Sequence, residues 1–265
     1  MKYVFGVDIG GTTVKIGLFD VEGNVLDKWE IPTRTENDGE EILPDVADSI
    51  REKMKQMDKD AIAGVGVGAP GPIDAGGVVH RAVNLGWKTF NVKETLEALI
   101  NLPVRAGNDA NVAALGEMWM GGGKGYKDLV VVTLGTGVGG GIIVDGRMIS
   151  GSTGAAGEIG HIHVDDTETD VCNCGNKGCL EQFASATGIT RLANKKLAST
   201  DMDSVLRGGE VSAKTVFDAV KARDPLAMEV AEQFGKYLGD ALAAVAGVVN
   251  PEAFVIGGGV SKAGE

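Results

Sequence analysis

Residues 7–20 read VDIGGTTVKIGLFD, and this stretch decides the fold. The apolar, β-branched run at 3–9, YVFGVDI, predicts a strand. Gly10, Gly11, Thr12 and Thr13 predict a turn, and residues 14–19 a second strand. A turn at 20–24 leads to a third strand near 25–31. A glycine turn that joins strand to strand is not a P-loop, and no GxxxxGK[ST] occurs. Nor is it the dinucleotide fingerprint, because no GxGxxG opens a helix.

The same order returns later in the chain. Residues 129–134 predict a strand, 135–140 (GTGVGG) a glycine turn, and 141–144 a second strand. Asp145 and Gly146 turn the chain into a short third strand. Aligning Gly10 with Gly135 brings the two patterns into step, which indicates an internal duplication. GGGKGYKD at 121–128 reads as a linker, and the halves divide near residue 118, giving domains 1–117 and 118–265.

The remaining elements fill in each half. Ile42, Val46, Ile50 and Met54 recur at i+4 spacing in a helix over 40–57. A strand over 62–67 ends in GAPGP, 91–100 is helical, and a short strand over 103–106 stops at the turn G107-N-D-A110. A helix follows from about 111 to 120. In the second half, Val230, Phe234, Leu238, Leu242 and Val245 share one face of a helix over 226–248, which Asn250-Pro251 ends. A strand over 253–256 then runs into a third glycine turn at 257–259. A strand that ends in glycine lets a phosphate approach the backbone without meeting a Cβ. Two such turns in duplicated halves that face each other across a cleft, and a third near by, suit a nucleoside triphosphate.

Composition sets the outer limits. The 265 residues carry a formal net charge of −12, which argues against nonspecific binding to nucleic acid or to an anionic membrane. The first residues lack a signal-peptide pattern, and no apolar run approaches the ~18 residues of a membrane span. A soluble cytoplasmic protein is expected, where a structural disulfide is rare. Yet all three cysteines, Cys172, Cys174 and Cys179, fall within eight residues of the chain. Thiolates at such spacing favour zinc, and a structural site takes four ligands. The histidines are His80, His161 and His163, two of them just upstream in GEIGHIHVDD at 157–166.

Asp109 stands where a strand is predicted to end and a helix to begin. It could cap the helix, as aspartate often does. It could also act as the general base of a kinase, whose chemistry needs little beyond a positioned carboxylate near the acceptor hydroxyl. A helix N-terminus beside it is expected to keep it ionised at neutral pH.

Together these motifs resemble the actin-like ATPase and sugar-kinase superfamily, and in detail the ROK family. VDIGGTTVKIGLFD resembles its first phosphate motif, LGTGVGGGIIVDG (134–146) its second, and VIGGGVS (255–261) its adenosine motif. CNCGNKGCLE resembles the family's CxCGxxGCxE zinc signature. The resemblance covers essentially the whole chain. It implies an α/β, duplicated ribonuclease-H-like fold of two domains around a cleft that holds ATP. It places Gly10, Gly11 and Thr12 at the terminal phosphates, Thr136 and Gly137 in the second loop, and Gly257 and Gly258 beside the adenosine. Asp8 corresponds to the position that orients Mg2+, and Lys15 could approach a phosphate or simply be an exposed strand residue. Asp109 would take the proton from the attacking hydroxyl. The zinc ligands implied are His161, Cys172, Cys174 and Cys179, with His163 left to pack or hydrogen-bond. The sugar contacts implied are Asn84, Asn108, Asp109, Glu158, His161 and Glu181. Zinc would pin the loop that carries them, so its removal is expected to harm sugar binding more than ATP binding.

NLGW at 84–87 and the ExGH motif at 158–161 most resemble the glucokinase branch, with transfer to the 6-hydroxyl of glucose. N-acetylmannosamine and fructose kinases share much of the pattern. A sugar-sensing repressor and a non-catalytic sugar-binding protein are the alternatives from other classes. The first is disfavoured because the first motif begins at residue 8, with no helix-turn-helix ahead of it. The chain stops directly after the adenosine-type turn, short of what the family's kinases carry, so part of the adenine wall is expected to be missing. The resemblance also implies a homodimer.

Overall fold

Alternation builds the first sheet. In the computed structural model, which describes residues 2–263, strand β1 (Tyr3–Ile9) turns Phe5, Val7 and Ile9 inward and leaves Asp8 exposed. β2 (Thr13–Asp20) and β3 (Val25–Pro32) pair antiparallel in sequence. After them come a short irregular turn of helix, α1 (Glu36–Gly39), and α2 (Ile42–Met54), whose Ile42, Val46, Ile50 and Met54 are all buried at the expected spacing. β4 (Ile62–Ala69) lies parallel to β1, and the short pair β5 (Val78–Val79) and β6 (Phe90–Asn91) forms a ribbon beyond it. α3 (Val92–Ile100) leads to β7 (Val104–Asn108), parallel to β4, and α4 (Asp109–Met120) starts at the very next residue. The sheet order is β3-β2-β1-β4-β7.

The second sheet repeats the first. β8 (Leu129–Leu134) and β9 (Val138–Val144) pair antiparallel, and β10 (Arg147–Met148) flanks β9. Four helices follow: α5 (Glu181–Ala184), α6 (Ala186–Ser199), α7 (Ala213–Lys221) and α8 (Pro225–Val249). β11 (Ala253–Gly257) then lies parallel to β8, so the order β10-β9-β8-β11 matches β3-β2-β1-β4. Along α8, Val230, Leu238 and Val245 are buried, with Phe234 and Leu242 packed beside them. Asp224 accepts the Ala227 N–H at 2.9 Å to start this helix, and Asn250, at φ 49°, ends it.

Two compact units result: Met1–Gly116 with Met148–Ala156, and Glu117–Arg147 with Gly157–Glu265. The excursion at Met148–Ala156 returns to the first unit, where a Cβ on Gly154 would stand 2.5 Å from the Ile73 carbonyl. Each unit carries its own cluster of buried aliphatic side chains. At roughly 1.5–3 kcal/mol for each large one fully buried, these clusters are the main source of stability. Among the described residues, no helix is long and apolar enough to cross a membrane.

Two local expectations need correction. β7 does not stop before Gly107; it continues to Asn108, because Gly107 and Asn108 stay in register with Gly68 and Ala69 of β4. The second glycine turn is also shorter than expected. It occupies 135–137, and Gly139–Gly141 belong to β9. The reason lies across the strand: a Cβ on Gly140 would stand 2.6 Å from both the Gly157 carbonyl and Ile159. Glycine in β9 therefore lets the segment carrying Glu158 and His161 lie directly on the strand.

Candidate functional site

In the first unit the parallel strands bring their C-terminal ends together. Asp8 is in register with Gly68 of β4, and Gly68 with Gly107 of β7, two residues before Asp109. Asp109 is not the helix cap. Asn108 fills that role, its Oδ1 accepting the Asn111 N–H at 3.2 Å while its Nδ2 donates to the Gly71 carbonyl at 3.1 Å. Asn108 is thus held by the fold, and Asp109 accepts the N–H of its neighbour Ala110 at 2.8 Å. The Asp109 side chain reaches solvent, yet the protein around it partly desolvates the carboxylate. That desolvation raises its pKa above the ordinary 3.8, and Asp8 pushes the same way. Burial sets the direction of the shift. A carboxylate tuned upward is a better proton acceptor than an ordinary surface aspartate.

The first glycine turn is held from outside. Gly10 donates its N–H to the Thr13 carbonyl at 3.0 Å. Thr33, at the end of β3, donates its hydroxyl to the Gly10 carbonyl at 2.7 Å and its N–H to the Thr12 carbonyl at 3.0 Å. Asn84, exposed in the turn Val83–Leu85, has its Cβ 3.9 Å from where a Gly11 Cβ would stand. One sugar-site candidate and one phosphate turn are therefore neighbours in this unit. Lys15 is exposed and stands in register between Asp8 and Glu30.

The second unit sets its two glycine turns side by side, because β8 and β11 are adjacent and parallel. Gly258, at φ 92°, lies against Leu134 at the end of β8. A cavity of about 580 Å3 opens here, lined by Thr136, Gly259 and Val260 and walled by Lys214, Phe217 and Lys221 of α7. The α7 residues carried no signal in the sequence. They follow no motif and reach the turns only through the packing of α7 on the sheet end. The second turn is held as the first is: Thr187 donates its hydroxyl to the Thr136 carbonyl at 2.8 Å. Glu181 accepts the Val138 N–H at 3.0 Å, so this sugar-site candidate also abuts a phosphate turn.

The three thiols and one imidazole gather in the same unit. The ligand atoms of His161, Cys172, Cys174 and Cys179 all lie within 4.8 Å of one another. Cys174 Sγ stands 3.6 Å from Cys179 Sγ, and Cys172 Sγ 3.9 Å from His161 Nδ1. Tetrahedral donors at zinc–sulfur distances of ~2.3 Å stand about 3.8 Å apart, so the donor set fits zinc. Burial pushes the Cys179 thiol up to about 12 and raises Cys172. In Cys174, hydrogen bonds from Asn176, Cys179 and Cys172 outweigh burial and lower it. A cation among them would compensate the charge that burial opposes. His163 does not join the cluster: its Nδ1 lies 2.9 Å from the Lys177 carbonyl and its Nε2 2.8 Å from Asp166. His161 turns its other nitrogen, Nε2, toward Glu158, 4.0 Å away.

Relatives share this chain along nearly its whole length. The glucokinase of Halalkalibacterium halodurans is 45% identical over 271 residues, spanning 100% of this chain and 82% of that protein. The xylose repressor of Caldicellulosiruptor bescii is 31% identical over 268 residues, spanning 99% and 67%. Among solved structures, a ROK family glucokinase from Streptomyces griseus, in complex with glucose and AMPPNP, superposes with a TM-score of 0.78 at 35% identity, covering 99% of this chain and 85% of that one. The family model described as ROK family matches residues 4–265. With that match over the full motif set, the chain belongs to the ROK family.

Proposed function

We propose that this protein transfers the γ-phosphoryl group of ATP to the 6-hydroxyl of a hexose, with glucose as its substrate. The observation that carries this reading is Asp109: it is released from capping by Asn108, reaches solvent, and is tuned toward proton acceptance. The 45% identity to a glucokinase over the whole chain supports glucose. In this mechanism Asp109 accepts the proton of the attacking hydroxyl as its oxygen bonds to the γ-phosphorus and the bond to the β,γ-bridging oxygen breaks, releasing ADP. The backbone N–H groups of Gly11 and Thr12, and those of Thr136 and Gly137, receive phosphate oxygens, while the Gly10 N–H closes its turn on the Thr13 carbonyl. The cavity beside Gly258 takes the nucleoside, with Phe217 as its apolar wall and Lys214 and Lys221 at its charged edge. Asp8 stands where it could orient magnesium, which when bound neutralises phosphate charge. Asn84, Asn108, Glu158, His161 and Glu181 read the sugar hydroxyls.

Zinc bound by His161, Cys172, Cys174 and Cys179 has a structural role in this reading, because four protein ligands leave no open position. It orders the segment that presents Glu158, His161 and Glu181. N-acetylmannosamine and fructose are the competing acceptors, and a sugar-sensing regulator is the competing class. ADP formation with Mg-ATP, assayed across glucose, mannose, fructose, N-acetylglucosamine and N-acetylmannosamine, separates them. Turnover led by glucose is expected. A better acceptor among the others would reassign the substrate, and binding of sugar without ADP formation would favour the regulator.

A further inference from the structure

Glu181 sits at an unusual junction. It follows the third cysteine by two residues, so its backbone is part of the thiol loop's exit. Its Oε2 accepts the Val138 N–H at 3.0 Å, at the first residue of β9 after the glycine turn. The same oxygen occupies the space that a Cβ on Gly137 would need. Two further bonds fasten the turn to the same stretch of chain. Ala186 donates its N–H to the Gly135 carbonyl at 2.8 Å, and Thr187 its hydroxyl to the Thr136 carbonyl at 2.8 Å. Ser185 completes the support, its hydroxyl 2.9 Å from that of Thr187 and accepting the Gly188 N–H at 2.9 Å. Residues 181–187 thus grip the second glycine turn at three successive points.

We propose that Glu181 is a positioning residue for the nucleotide as well as a sugar contact: through Val138 it sets the shape of the turn at 135–137. This rests on the kinase reading above, and it adds to one expectation drawn from sequence. Disorder in the thiol loop would loosen the nucleotide turn along with the sugar contacts. Only one carboxylate oxygen is engaged at Val138, so the other is free to meet a hydroxyl. A turn held before nucleotide arrives needs less ordering on binding, and that saving appears as affinity.

The test is nucleotide affinity without sugar, where a purely sugar-binding glutamate has nothing to do. AMPPNP binding to the full chain is measured by calorimetry for the wild type, Glu181→Ala, Glu181→Gln and Gly137→Ala. Loss of one supporting hydrogen bond is worth about tenfold in affinity. Glu181→Ala is expected to weaken AMPPNP about tenfold. Glu181→Gln, whose amide oxygen still accepts the Val138 N–H, is expected to stay within about twofold. Gly137→Ala displaces the carboxylate and is expected to weaken binding too, with little further loss when combined with Glu181→Ala. Wild-type affinity in folded Glu181→Ala would overturn the inference while leaving the kinase reading intact. So would an equal loss in Glu181→Gln. A wild type that binds no AMPPNP would overturn both.

Discussion

At the scale of single residues, Asp109 carries the sharpest prediction. Its carboxyl is raised by desolvation and by Asp8, so ionised Asp109 is disfavoured in the folded state relative to the unfolded chain. Asp109→Asn is therefore expected to melt no lower than the wild type at neutral pH, while ADP formation falls by roughly 100- to 10,000-fold, the order expected for a general base. Activity within tenfold would remove Asp109 from that role, and a large drop in melting temperature would contradict the desolvated carboxylate. The same shift sets the acid limb of kcat/KM: the base form is lost as pH falls through a value above the ordinary 3.8. The place of Asp109 at a strand–helix junction was legible in the sequence, but its freedom from capping was not. Whether Asn108 or Asp109 caps α4 depends on how far β7 continues, and pairing with β4 decides that.

At the scale of elements, the thiol loop is tied down by more than its cysteine cluster. Arg191 of α6 donates to Glu168 at 2.7 Å, to Asp170 at 3.0 Å and to the Gln182 carbonyl at 2.8 Å. Gln182 in turn accepts the Cys179 N–H at 3.1 Å and donates to the Asp170 carbonyl at 3.0 Å. The Glu168 side chain is only 6% exposed, so removing its guanidinium partner leaves a buried carboxylate with the Lys195 cation and the Asp170 N–H. Arg191→Ala is expected to cost about 2 kcal/mol, given the worth of charge-assisted hydrogen bonds. It should also make the loop depend more on metal. The fall in melting temperature on adding a chelator should be larger in Arg191→Ala than in the wild type; an equal fall would mean that clamp and cluster act independently. The cysteine cluster was plain in the sequence because its spacing is local. The clamp was not, since Arg191 and Glu168 are 23 residues apart and share no motif. The threonines that hold the two turns were hidden for the same reason: Thr33 and Thr187 act across 23 and 51 residues.

At the scale of the whole molecule, the acids divide into two kinds. In Glu168 and Asp224, desolvation opposes ionisation but the hydrogen bonds win, and both are lowered. In Asp20 the Asn24 side chain leads the lowering. A lowered carboxylate stabilises the fold above its unfolded value and loses that contribution as pH falls through its folded one. These carboxylates therefore make the unfolding free energy decline from about pH 4.5 downward, starting at the ordinary 4.5 of Glu168 and 3.8 of the aspartates. Stability measured by urea titration that rose as pH fell below about 4.5 would contradict this. The duplication itself was readable because glycine turns at strand ends are local and occur twice in step. The parallel pairings that bring Asp8 level with Gly107, just before Asp109, and the turn after β8 beside the one after β11, join distant segments, and periodicity does not show them.

The excursion of Met148–Ala156 also bears on how the protein is made. A nascent chain that has delivered its first 116 residues holds every strand of the first sheet, but not the piece whose Gly154 settles against Ile73. The ribosome must translate β8 and β9 before that piece emerges. Co-translational folding of the first unit therefore finishes only after the second has begun, and cutting the gene after codon 116 would yield a product that lacks its own last segment.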